Sequence, residues 1–168
     1  MINFLRIHKR SVTTILAITG IGIMGVYSLC SESCAYLEGT LFEVDLKYLG
    51  IFFMTLVLAA GALGMDVTCA LLLSLGMGGE LFLLGFQVMN GVYCPYCLAF
   101  AAIAILLFTI WVGRISPSSA LLFAAAGFSL FYLFFSGSVS PAYADHFAMP
   151  PLGVDWMRVR EIMRSLAR

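Results

Sequence analysis

Charge is missing from this chain over distances that a water-exposed fold does not tolerate. Arg10 to Glu32 encloses 21 uncharged residues, Lys47 to Asp66 encloses 18, and Asp66 to Glu80 encloses 13. Glu80 to Arg114 encloses 33 and Arg114 to Asp145 encloses 30. A helix that crosses a bilayer needs about 20 apolar residues, so each of the two longest gaps holds more than one helix, or a helix and a loop. Charged residues make up 11% of the 168, and 62% are apolar. An ordinary soluble domain carries about 25% charged residues. The composition therefore excludes a free globular enzyme, a nucleic-acid module and a disordered tail. Nine acids balance nine bases, so no polyanionic partner is implied.

Punctuation by Gly, Pro, Ser and the charges predicts membrane helices over 11–29, 48–64, 67–88, 95–113 and 119–136. Gly64-Met65-Asp66 joins the second to the third, and Arg114-Ile115-Ser116-Pro117-Ser118 joins the fourth to the fifth. Within lipid only helices and closed barrels satisfy their backbone, and these runs lack the alternation of barrel strands. No internal repeat is visible. The basic start resembles a signal sequence. However, the apolar run of 11–29 is long for a signal core, and Leu29 before Cys30 does not suit lipoprotein cleavage. Arg6, Lys9 and Arg10 precede the first helix and Arg114 follows the fourth. By the positive-inside rule this puts the N-terminus in the cytoplasm. The loop 30–47, with one Lys against Glu32, Glu38, Glu43 and Asp45, then lies outside. The expected organisation is a cytoplasmic start over 1–10, a membrane domain over 11–136 and an outer tail over 137–168. The last stretch of the tail, 154–167, has amphipathic character.

Five cysteines are too few for a disulfide-dense scaffold but enough for one redox relay. Cys30 and Cys34 follow the first helix, and Cys94 and Cys97 open the fourth. Two separate loops thus bring four thiols to one face of the membrane. Cys69, near the other end of the third helix, is about 30 Å away by helix rise and reads as a small core residue. Pro95 suits the first position of a helix, where its missing N–H would be unpaired anyway. Cys94 is then the N-cap, where the helix dipole and free N–H groups favour a thiolate. Cys97 is one turn deeper, about 4.5 Å along the axis, so one thiol is expected to face water and the other lipid. Cys30-Ser-Glu-Ser-Cys34 is short and polar, which suits an exchangeable disulfide that a protein can reach. For both pairs the bland alternative is an inert structural bridge.

Residues 35–47 place Leu37, Leu41 and Val44 at helical spacing with Tyr48, offset from the charges. This predicts a short amphipathic helix on the bundle mouth, either a lid over a pocket beside Cys97 or an interfacial loop. Glu80 is the one acid well inside a predicted span, just after Gly76, Gly78 and Gly79. A carboxyl in lipid is costly and faces the bundle interior. Two readings stand: hydrogen bonding or proton supply to a reduced ligand, or an interhelical hydrogen bond that fixes packing. Gln87, Asn90 and Tyr93 lie nearer Cys97 and offer polar groups for ligand carbonyls.

Taken together, these features resemble the vitamin K epoxide reductase family, above all its bacterial disulfide-forming members. The resemblance covers about residues 11–136. It rests on the basic start, the cysteine pair after the first helix, Asp45-Leu46-Lys47-Tyr48-Leu49-Gly50, Glu80 with Gln87, and Tyr93-Cys94-Pro95-Tyr96-Cys97-Leu98. It implies an all-α integral membrane protein: a five-helix bundle, four core helices plus one, capped outside by the amphipathic helix. It further implies a thiol oxidase of the bacterial inner membrane, with Cys30, Cys34, Cys94 and Cys97 catalytic and facing the periplasm. By the same resemblance, a reduced thioredoxin-fold (DsbA-like) partner is expected to attack at Cys30, Cys34 to attack Cys94, and Cys97 to pass electrons to a quinone, whether ubiquinone or menaquinone. Thr40 holds the place of a loop hydroxyl usual in the family, and with Glu80, Gln87, Asn90 and Tyr93 completes the expected quinone-side set. Residues 137–168 are too few for the fused thioredoxin-like domain of many bacterial members, so the partner is expected to be a separate protein. A DsbB-like oxidase fits less well, because its CxxC lies in the first outer loop. A four-cysteine metal site or soft-metal carrier, and a structural protein with two inert disulfides, complete the alternatives.

Overall fold

A computed structural model describes residues 9–29, 37–91 and 93–139. The loop cysteines Cys30 and Cys34 and the tail beyond 139 lie outside these residues. Among these described residues there are five α-helices: α1 (Lys9–Leu29), α2 (Leu46–Ala62), α3 (Asp66–Asn90), α4 (Pro95–Trp111) and α5 (Pro117–Phe134). A 3-10 turn, Val112–Arg114, extends α4. Every predicted helix end lies within two residues of the end found, and the last two residues of 95–113 fall in that turn. Among the described residues α1, α3, α4 with its turn, and α5 are long and apolar enough to cross a membrane. The apolar α2 is shorter, at 17 residues. By these helices the chain is a multi-pass membrane protein. Large apolar side chains such as Ile15, Ile18, Leu106, Leu121 and Leu122 point outward, as expected of a surface that meets lipid instead of water.

Small residues set the helix spacing, since lipid supplies no hydrophobic drive between helices. On α1, Thr13, Ala17, Gly20 and Met24 are buried in one stripe. Gly20 faces Met54 of α2, and Gly61 of α2 faces Thr13. The tightest crossing is α3 on α5. A methyl group on Gly78 would overlap the carbonyl oxygen of Ala124, and one on Gly127 would overlap that of Leu75.

The two ends of the bundle differ in chemistry. At one end Asp66, opening α3, accepts from Lys9 Nζ at 2.7 Å and pairs with Arg114 Nε at 3.5 Å. Trp111 Nε1 donates to Thr13 Oγ1 at 2.9 Å, beneath the Lys9 ammonium, which lies 4.2 Å from the indole centre. Cys69 is fully buried one turn from this cluster, in the core position expected for it. At the other end α1 finishes beside the start of α4, where the rings of Tyr27 and Tyr96 are 5.5 Å apart.

The expected amphipathic helix over 35–47 is not present in its described part. That part is a β-hairpin, β1 (Leu37–Leu41) and β2 (Val44–Asp45), and β1 also pairs with β3 (Phe135–Val139), which follows α5 directly. The sheet order is β2-β1-β3, with Leu41 opposite Phe135 and Gly39 opposite Gly137. The chain is mostly helical, as expected of an all-α membrane protein, but a small sheet takes the place of the helical cap at the mouth of the bundle. The reason is a partner remote in sequence. A run this short carries both periods, and a second extended segment delivered by α5 satisfies the strand's backbone groups. The hairpin turn places Phe42 and Glu43 at φ 54° and 66°, the left-handed pair that matches strand twist. For Phe this is unfavourable, and its ring packs on Phe134 at 4.5 Å.

The glycine crossing yields a stability prediction. Gly127→Ala should lower the unfolding free energy by about 1–3 kcal/mol, because backbone must move to admit the methyl. Gly25→Ala on α1, with nothing within 4 Å of the added carbon, should change it by no more than about 0.5 kcal/mol. Reversible unfolding in mixed micelles checks both.

Candidate active site

The site begins with how α3 ends and α4 starts. Gly91 caps α3 at φ 64° and ψ 22°, a left-handed conformation that glycine adopts without a Cβ penalty. Three residues later Cys94 is the N-cap of α4, with Pro95 at its first position. The Cys94 sulfur accepts from the Cys97 N–H at 3.4 Å, so the capping expected from the motif is present. The Cys94 N–H in turn donates to Gln87 Oε1 at 2.9 Å. Gln87 is 1% exposed. An unpaired N–H buried at this point would cost about 1–3 kcal/mol, so Gln87 fixes the position of the CxxC turn.

Cys94 and Cys97 are both free thiols and both buried. Tyr27, Phe86 and Tyr96 pack around them. Cys94 was expected to face water; it is fully buried beneath these rings, because α1 brings Tyr27 onto the start of α4. The Cys94 thiol is held down to about 7. The first cause is the hydrogen bond between the two thiols, and the N–H groups of Cys97 and Tyr96 add to it, while burial opposes it. A lowered pKa favours the thiolate, the form in which a cysteine is nucleophilic.

Beneath the pair lies a cavity of about 220 Å³. Its walls come from four helices besides α4 and from the hairpin: Met24, Phe53, Gly79, Phe131 and Leu41 each face it. Cys97 and Glu80 line the same space. A cavity of ~150 Å³ holds benzene, so this one admits a substituted single ring. The glycines of α3 divide their work. Gly78 allows the crossing with α5. Gly76 and Gly79 leave room for the rings of Phe53 and Phe131, where an added Cβ would collide. Glu80 forms no hydrogen bond or ion pair with any described residue, which removes the interhelical hydrogen bond as its reason for being there.

The other expected residues are distributed differently. Gln87 serves the Cys94 backbone and does not line the cavity. Asn90 is exposed and donates back to Phe86 O at 2.8 Å. Tyr93 is exposed. Thr40, on β1, donates to Ser136 O at 3.4 Å across the sheet. Phe131 and Gly127 of α5 are cavity residues that the sequence did not single out, whereas Leu41, from the segment read as a possible lid, does line the cavity. Gly127 alone carried a signal, as a glycine within an apolar span. No group of three or more His, Cys, Asp or Glu side chains converges among the described residues. Compared with protein-family models, curated proteins and solved structures, the chain matches none.

The thiol geometry makes a pH prediction. In a variant with Cys30, Cys34 and Cys69 replaced by Ser, thiolate absorbance of the reduced protein should rise with a midpoint near pH 7. The added Cys97→Ala change, removing the thiol–thiol hydrogen bond, should move the midpoint up toward about 8.5, the ordinary thiol value. Ultraviolet titration in detergent measures both.

Proposed function

We propose that the chain is a quinone-dependent thiol oxidase of the vitamin K epoxide reductase type. It reoxidises a separate thioredoxin-fold protein and passes the electrons through Cys30 and Cys34, then Cys94 and Cys97, to a membrane quinone. One observation carries the reading: the inner thiol of a capped CxxC turn shares an apolar, ring-sized cavity with a lone carboxyl. Quinone, when bound, supplies a lipid-soluble acceptor of two electrons and two protons, matching what a dithiol releases on forming a disulfide.

The residues take distinct parts. Cys94, with its lowered pKa, is the nucleophile and leaving group of the inner pair. Gln87 holds the turn so that Cys97 stays at the cavity wall. Cys97, one turn into the helix, is the thiol nearest the acceptor. Apolar walls keep water out and leave ring packing as the main binding force. In this reading α2 is the fifth span. Its 17 residues extend about 25 Å, close to the hydrocarbon thickness of about 30 Å. The end that carries Lys9, Asp66 and Arg114 lies on the cytoplasmic side, and the CxxC end faces the periplasm of a bacterial inner membrane. Cys69, at the former end, has no part in the relay.

Two experiments test this. Cys34→Ala should accumulate a mixed disulfide between Cys30 and the soluble partner, seen as a partner-sized adduct on non-reducing gels and lost on reduction. The same adduct with Cys30→Ala instead would reverse the order within the loop pair. Cys94→Ala, purified with quinone, should show a visible charge-transfer band from a Cys97 thiolate against the ring, and Cys94→Ala/Cys97→Ala should not. A band that survives loss of Cys97 would remove it as the donor.

A further inference from the structure

Glu80 stands fourteen residues into α3, near the middle of a 25-residue helix. Among the described residues it is the one acidic or basic side chain on the cavity wall, the rest of which is apolar apart from Cys97. A carboxyl at membrane depth is expensive unless it is paired, and Glu80 has no hydrogen-bond or ion-pair partner among the described residues. Packing does not require it either, since the α3–α5 crossing is made by Gly78 and Gly127. Glu80 and Gln87 are seven residues apart, two turns, and so lie on one face of α3 about 10 Å apart along the axis. That face serves the CxxC turn at one level and the cavity at the next.

We infer that Glu80 is the general acid of the site, donating a proton to a carbonyl oxygen of the quinone as Cys94 and Cys97 are oxidised. The inference rests on the quinone reading above and adds the proton route to it. The dithiol loses two electrons and two protons, and one sulfur–sulfur bond forms. The acceptor gains both electrons and both protons and becomes the quinol. One of those protons comes from Glu80, whose carboxylate is then reprotonated by a proton released from the thiol pair. The sum is dithiol plus quinone giving disulfide plus quinol. Water is poorly placed for this task in an apolar cavity, and the thiol protons leave from one wall only. A carboxylic acid on another helix therefore supplies a second donor. As a neutral acid it also gives the ring a hydrogen bond, which fixes its orientation.

The test uses the full-length protein in detergent with a short-chain benzoquinone, reading binding, rate and a vibrational signature separately. Glu80→Gln should bind the quinone with a Kd within about threefold of wild type, since glutamine still donates a hydrogen bond. It should slow quinone reduction by the pre-reduced protein about 100-fold or more, the usual range for a lost general acid. The redox-induced infrared difference spectrum of the wild type should contain a protonated-carboxyl band that moves in heavy water and is absent from Glu80→Gln. Glu80→Asp, which keeps an acid, should keep a carboxyl band and recover part of the rate, guarding against a folding defect in the Gln variant. A Glu80→Gln protein that reduces quinone at the wild-type rate, or that retains the band, would overturn the assignment. Equal loss of binding and rate would also overturn it, leaving Glu80 a ligand-positioning residue. If the wild type itself binds no quinone, the proposed function falls and the proton route falls with it.

Discussion

Helices α3 and α5 touch backbone to backbone at Gly78 and Gly127, and most of the site follows from that approach. No side chain stands between them there, and each glycine lies against the other helix's backbone. On the hairpin side the space between them, α2 and α4 becomes the cavity. Phe131 and Gly127 reach it from α5, and Gly76, Gly79 and Glu80 from α3. The same crossing carries the end of α5 to the bundle mouth. There β3 begins at Phe135 and pairs with β1, so that Leu41 closes the cavity from above. Wider residues at the two glycines would separate the helices and loosen both walls at once.

Polar groups in the interior are few and each is in use. Lys9, Asp66, Arg114, Thr13 and Trp111 form one connected cluster at one end. Gln87 satisfies the Cys94 N–H near the other. Ser74 bonds back to Ala70 O. Glu80 is the exception, a carboxyl on the cavity wall with no hydrogen-bond or ion-pair partner among the described residues. In a medium where an unmatched polar group is so costly, the exception is the natural place to look for chemistry. The thiols complement it: Cys94 is the one whose pKa is lowered, and Cys97 is the sulfur that lines the cavity.

The helices were legible in the sequence because their signal is local. Uncharged runs, Pro95 at a helix start, and the joining segments Gly64-Met65-Asp66 and Arg114-Ile115-Ser116-Pro117-Ser118 locate five helices with end errors of about one turn or less. Cys94 as the N-cap was legible for the same reason, since Pro95 leaves its neighbour little else to be. Cys69 as a core residue also followed from its distance to the other pair along the helices. The hairpin was not legible. Leu37, Leu41 and Val44 fit a helical period, and only β3, about a hundred residues away, decides for strands. Nor were the tasks of Gln87, Asn90 and Tyr93 legible. All three are polar residues near a helix end, and their orientation depends on which backbone group or solvent each meets after packing.

The sequence alone thus determined a membrane bundle, its helix limits and a capped CxxC turn, because burial in lipid and helix capping depend on residues within a turn or two of each other. Tertiary structure decided the rest. It settled which glycine carries the crossing, that Cys94 is covered by Tyr27 and Tyr96, that a sheet closes the mouth, and that Glu80 and Cys97 look into one cavity. Each of these is a contact between segments far apart in the chain, and its geometry is set by how closely two helices approach, which no single segment encodes.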